Sequence, residues 1–398
     1  MGVSHRAVKH VCVSVVSSAA LLLGACTINS EVGAEGSVVP SSAPVTSAAA
    51  KPMPPEVSVK NGATGVNPKD PVTVKSVGEG LKSVEMTNED GKVIKSKLSK
   101  DAMSWTSDEP LGFNRSYSVV ATDKNGKTTT TKFQTITANV LAENSLAPLD
   151  GSTVGVGQTI GVRFDTVVGN RKAVEKAIKI TTEPKVEGAF YWISSQEVRW
   201  RPKEYWKSGT KVDVHADLYG VKVGEGIYGA NGNKASFTIG DHVEAVVDDN
   251  TKTMTVYKNG DKVKSMPVSL GSGQWPTPNG VYIIGDEYPN LVMDSTSYGL
   301  ALENGGYRTP VDFATQMSYS GIFVHAAPWS VWAQGNTNVS HGCVNVSTEN
   351  AGWFQNFVKR GDIVVVKNTV GETLSGYDGL GDWNIDWATW KKGNADDV

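Results

Sequence analysis

The stretch VEAVVDDNTKTMTVYKNGDKVKSMPV, residues 243–268, decides the fold. Apolar and polar residues alternate along Val243 to Val247, Thr253 to Tyr257 and Lys262 to Val268, the period of half-buried strands. Asp249-Asn250 and Asn259-Gly260 separate the runs with side chains that tolerate tight hairpin turns. Two antiparallel hairpins follow, and they predict a β-rich domain opening at Asp241. Upstream, Val57 to Lys60, Val72 to Lys75 and Tyr117 to Ala121 alternate in the same way, with turns at Asp90-Gly91 and Asn125-Gly126. The pattern then restarts. Asn61-Gly62-Ala63-Thr64 before the strand at Val72 matches Asp150-Gly151-Ser152-Thr153 before the strand at Ile160, and the offset is about one immunoglobulin-like module. A mainly β chain is therefore expected, with tandem sandwiches at 57–140 and 141–240, ending near Thr135 and Gly240, and a third domain at 241–367. A helix at Lys172 to Ala177 interrupts the second sandwich. Tyr191, Trp192, Trp200 and Trp206 could stack on sugars, but alternation at Trp200 and Arg201 places the Trp in the core. Residues 368–398 form a tail whose Trp383, Trp387 and Trp390 would share one side of a helix and pack on the third domain.

The N-terminus carries an address. Arg6 and Lys9 precede the apolar run Val11 to Leu23, which is too short to span a bilayer and suits a signal h-region in 1–25. Leu23-Gly24-Ala25-Cys26 resembles a bacterial lipobox, so Cys26 is the expected lipidation site; a plain secretory signal with an incidental cysteine is the rival. Residues 26–56, with Pro40, Pro44, Pro52, Pro54 and Pro55, read as a flexible tether. The expected location is the outer face of the cytoplasmic membrane. A net charge of -3 offers no basic surface for nucleic acid.

With Cys12 removed and Cys26 acylated, Cys343 is the only thiol left. It lies in Ser340-His341-Gly342-Cys343-Val344-Asn345, downstream of Ile322-Phe323-Val324-His325. A catalytic cysteine needs a base, and a histidine ending an apolar strand can supply it. Gly342 permits positive φ and leaves room beside the sulfur, where backbone N–H groups can face a developing oxyanion. Two rivals use the same residues: a structural His-Gly-Cys turn, and a zinc site, for which one Cys and two His lack the usual paired spacing. Residue order disfavours a papain-like protease, whose cysteine precedes its histidine.

A histidine, fourteen intervening residues (Ala326 to Val339) and then Ser340 to Asn345 resemble the signature of the L,D-transpeptidases. Pro276-Thr277-Pro278-Asn279-Gly280-Val281-Tyr282, Met293-Asp294 and Ala327-Pro328-Trp329-Ser330 extend the likeness over Asp241 to about Lys367. The resemblance implies acyl transfer on peptidoglycan stem peptides; no cofactor is expected, and the ligand count argues against a metal. Cys343 would attack the third-residue carbonyl, expel terminal D-Ala and pass the acyl group to a diaminopimelate amine. His325 would take the thiol proton, and His341 and Gly342 would shape the oxyanion site. Tyr307, Ser320, Gly321, Ser340 and Asn345 would bind substrate, with Met293 and Trp329 at the entrance under a mobile lid. Carbapenems would be inhibitors. Many relatives carry Ser where this chain has Ala326, whose main-chain carbonyl can still orient the imidazole. Alternatives are L,D-carboxypeptidase activity and a non-catalytic wall-binding lipoprotein.

Overall fold

A computed structural model describes residues 53–397; the signal segment, Cys26 and most of the tether lie outside them. The chain is mainly β. In the first sandwich one sheet orders Glu56–Val57, Thr73–Lys75, Ser104–Ser107 and Ser96–Leu98, and faces a sheet of Ala63–Val66, Thr128–Thr135, Ser116–Asp123 and Leu81–Asn88. The alternating Val72, Val74, Val119 and Ala121 meet Trp105 and Phe133 between the layers. The repeat seen in the sequence has a structural counterpart. Gly62 and Gly151 both take positive φ, and each precedes a short strand, Ala63–Val66 or Thr153–Val154, that pairs in parallel with the last strand of its module.

In the second sandwich the helix is Arg171–Ala177, capped by the Asn170 side chain. Tyr191, Trp192, Trp200 and Trp206 are all buried, so none is a sugar platform. Alternation fails along Glu197–Pro202, however, because Arg201 is buried like Trp200. The C-terminal tail covers the sheet's outer face. The Arg201 guanidinium lies 4.5 Å from the ring centroids of both Trp383 and Trp390 and 5.5 Å from that of Trp387, a cation–π stack shielded from water. Trp383 and Trp390 also donate their indole N–H to the Gly157 and Ala189 carbonyls, each at 2.8 Å. The expectation that the tail packs on the third domain is thus half of the answer. Asn384 does bond both backbone groups of Val281 there, but the tryptophans dock on the second sandwich. Nor is the tail one helix: Trp383 sits in a 3₁₀ turn, Asp382–Asn384, before the helix Trp387–Lys392.

The second sandwich and third domain are knit through backbone: Gly155 N–H to Arg360 carbonyl, 2.9 Å, and Gly157 N–H to Gly361 carbonyl, 2.8 Å. A Cβ at Gly155 would strike Asp362 at 2.2 Å. Asp362 is fully buried, its Oδ1 has no hydrogen-bond partner, and Lys359 is 3.9 Å from the other oxygen. Burial pushes its carboxyl up to about 7. Because that lies above the unfolded value near 4, the folded state holds the extra proton between those limits, and stability falls as pH rises from about 4 to 7, then levels. Asp362→Asn should flatten that slope and gain on the order of 1 kcal/mol at pH 8; urea unfolding at pH 5 and pH 8 checks it, and an unchanged slope refutes the assignment.

The third domain holds two sheets. Asp261–Pro267, Thr253–Lys258, Val243–Asp248, Ile363–Lys367 and Gly280–Ile283 form the first, in that order; Glu287–Asp294, Arg308–Gln316, Phe323–Ala326 and Val344–Val346 form the second. The apolar side of the alternating hairpins becomes the core: Ala245, Val247, Met254 and Val256 pack on Val324, Val346 and Phe354. The last two strands of the second sheet run parallel, His325 opposite Asn345. A parallel pair demands a crossover, and residues 327–343 supply it as a loop that returns to the site.

Candidate active site

Cys343 immediately precedes the strand Val344–Val346. The turn before it is tied by Ser340, whose Oγ accepts from the Gly342 N–H at 3.1 Å and donates to the Cys343 carbonyl at 2.7 Å. Gly342 has φ +119°, which side chains rarely adopt, and a Cβ there would sit 2.9 Å from Ile322 Cδ1. Thr277 Oγ1 donates to the Gly342 carbonyl at 2.7 Å while accepting from the Gly271 N–H. The turn is therefore fixed at both ends.

The thiol is buried among Met293, Val311, Ala314 and Phe323 and directs its weak S–H toward the Gly321 carbonyl, 3.5 Å away. Burial pushes its pKa up to about 12, with a backbone contact at Phe323 opposing. At neutral pH it is a protonated thiol. His325 lies in the neighbouring strand Phe323–Ala326, and its Nδ1 lies 2.9 Å from the Ala326 carbonyl. A carbonyl can only accept, so Nδ1 carries the proton and Nε2 is left as an acceptor. Burial holds the imidazole pKa below its usual 6.5, the Ala326 bond acting against it. The resting pair is neutral.

A cleft of about 370 Å³ brings Cys343, His325, His341, Ser340, Asn345, Tyr307, Met293 and Trp329 to one surface. The Trp329 ring lies 6.1 Å from that of His325, the two planes inclined by 30°. His341 is held by Trp275 at 4.1 Å and Tyr307 at 4.9 Å, and its Nε2 donates to the Gly305 carbonyl at 3.1 Å. Asn345 donates from Nδ2 to Ser330 Oγ at 3.1 Å, and its buried Oδ1 has no partner. An acceptor buried without a donor is costly unless something supplies one.

Ser320 and Gly321 do not reach that surface. The Ser320 N–H and hydroxyl are taken by Asp378 and Ser318, and the Tyr298 ring covers Gly321, whose added Cβ would meet it at 2.7 Å. Gly321 lies behind the thiol, covered by Tyr298, while Ser320 is exposed to solvent. Sequence reasoning missed Thr309, Val311 and Val339 in the wall, and Trp275 and Tyr298 beside it. Trp275 adjoins the motif at 276–282, a signal that could have found it; Val311 and Val339 resemble any core valine.

Two families match the chain: bacterial Ig domain over residues 63–222 and the L,D-transpeptidase catalytic domain over residues 242–366. The chain is 53% identical over 342 residues to L,D-transpeptidase 2 of Mycobacterium tuberculosis, covering 85% of this chain and 84% of that protein. To L,D-transpeptidase 5 of the same species it is 33% identical over 363 residues, covering 87% and 79%. The structure of LD transpeptidase LdtMt1 in complex with imipenem aligns with TM-score 0.50 and 38% identity, over 56% of this chain and 97% of that one. The extent and identity of these likenesses place the chain in the L,D-transpeptidase family, as an Ig-like region followed by the catalytic domain.

Proposed function

We propose that the chain cross-links peptidoglycan by cysteine-dependent acyl transfer, with Cys343 as nucleophile and His325 as base. The observation that carries this is a thiol and an imidazole acceptor nitrogen on one cleft, the imidazole oriented by the Ala326 carbonyl. As the sulfur attacks the third-residue carbonyl of a tetrapeptide stem, Nε2 takes its proton. The oxyanion forms beside His341 and the backbone of Gly342 and Cys343. Imidazolium then protonates the departing D-Ala amine, leaving a thioester. The side-chain amine of a diaminopimelate on a second stem attacks, gives up a proton to His325, and expels the thiolate, which regains that proton. Asn345 Oδ1 and Tyr307 would bind the stem.

Mass analysis after incubation with disaccharide tetrapeptide tests the reading: cross-linked dimer supports it, trimmed tripeptide alone would make the enzyme an L,D-carboxypeptidase, and no product would leave a wall-binding lipoprotein. Since LdtMt1 was solved with imipenem, carbapenems are proposed to acylate Cys343 through the same steps. The Ala326 carbonyl predicts that Ala326→Ser changes the acylation rate by less than about threefold, under 1 kcal/mol of barrier; stopped-flow acylation by a chromogenic lactam checks it, and a tenfold gain would require a hydroxyl relay. The lipobox resemblance supports a location on the outer face of the cytoplasmic membrane through lipidated Cys26. Cys26→Ser should move the protein to the soluble fraction, and unchanged membrane retention contradicts the anchor.

A further inference from the structure

The crossover loop carries an apolar face that the chemistry above leaves unused. Trp329, Val331 and Trp332 are 53%, 51% and 69% exposed, side by side on one loop. They are not there because the loop is loose. Ala333 N–H bonds the Ser330 carbonyl at 2.9 Å, Gly335 N–H the Val268 carbonyl at 2.9 Å, and the Gln334 side chain the Ala327 carbonyl at 3.2 Å. Ser330, Ala333 and Gln334 fill the inward positions, so the large apolar residues are held outward. Leaving indoles in water forgoes burial that would favour folding.

We propose that Trp332, with Trp329, is a platform for a sugar ring of the donor glycan strand, making the enzyme selective for stems still attached to sugar; this rests on the acyl-transfer reading above. Trp329 already walls the cleft in which the third-residue carbonyl must meet Cys343. Three residues further along a tight turn advance the chain by about 6 Å, and the three stem residues between that carbonyl and the sugar extend about 10 Å. A stem seated at Cys343 therefore has the length to carry its first sugar past Trp329 to Trp332. The loop's chemistry suits such a ligand. Residues 326–339 carry no charged side chain, whereas an anionic membrane surface selects Lys and Arg. Indole faces flanked by the exposed Asn336 and the half-buried Thr337 offer a flat apolar surface to sugar C–H groups and amide or hydroxyl partners to their hydroxyls.

The test has two arms. Trp332→Ala should lower kcat/KM for disaccharide tetrapeptide about tenfold, the order expected on truncating an exposed aromatic anchor, and leave free tetrapeptide unchanged, which also shows that the variant folds. Calorimetric titration of Cys343→Ala protein with peptide-free glycan strands should show the same loss when Trp332→Ala is added, and retention with Trp332→Phe. Because this arm needs no turnover, it reads the platform even if the acyl-transfer reading fails. Equal losses on both substrates, no loss on either, or a loss confined to binding of anionic phospholipid vesicles would overturn the proposal.

Discussion

Cys343→Ala is expected to lose all measurable cross-linking and all acylation by carbapenem while remaining folded. The thiol is the only one among the described residues, and no hydroxyl takes its place on the turn: Ser340 Oγ is committed to the Gly342 N–H and the Cys343 carbonyl. In the proposed covalent mechanism, removing the nucleophile leaves only binding and oxyanion donors, which cannot form the thioester. The structural cost should be small. Sγ is one buried atom in a satellite cluster with Met293, Val311 and Phe323, and its loss opens a cavity worth about 1 kcal/mol. Intact-mass spectra with a carbapenem, alongside thermal unfolding, separate the two effects. An adduct surviving in a folded Cys343→Ala protein would move the nucleophile elsewhere.

The second large effect concerns the base. His325→Gln should reduce acylation at pH 7 by about 10²- to 10⁴-fold, the usual contribution of positioned proton transfer. Its signature is the pH profile. In the wild type, burial lowers the imidazole pKa below 6.5, so the neutral base is already formed at neutrality; the rate rises only through the acid limb and is then flat. Without it, attack must wait for ionisation of a thiol whose pKa is pushed up to about 12. The variant's rate should therefore climb roughly tenfold per pH unit from 7 to 10, tracking the thiolate fraction. A variant whose rate is flat across that range would show that His325 positions the substrate and does not take the proton.

That contrast was only partly legible in the sequence. The lone thiol, the glycine before it and the histidine ending an apolar strand were readable because each depends on residue type at a fixed local spacing. Protonation was not. Cys343 is raised because Met293, Val311 and Phe323 arrive from three separate strands to exclude water, and no local pattern around Ser340-His341-Gly342 announces them. Ser320 and Gly321 depend on tertiary structure in another way. The family resemblance implied substrate contact for both; in the fold the Ser320 N–H is taken by Asp378 from the tail, and Tyr298 from another segment covers Gly321.

Short-range physics made several features readable from the residues alone: hairpins at Asp249-Asn250 and Asn259-Gly260, a module that restarts at Gly151, and a Gly342 turn that favours glycine. Strand period and turn stereochemistry are properties of a few consecutive residues. Which segments lie against each other depends on long-range packing. Arg201, which alternation would put in water, is buried because a tail far along the chain lays Trp383 and Trp390 over it. His325 meets Asn345 because a crossover loop closes a parallel strand pair. Burial, and with it the charge state of Cys343 and His325, is set by segments distant in the chain, and hydrophobic packing between them carries no signature in either segment on its own.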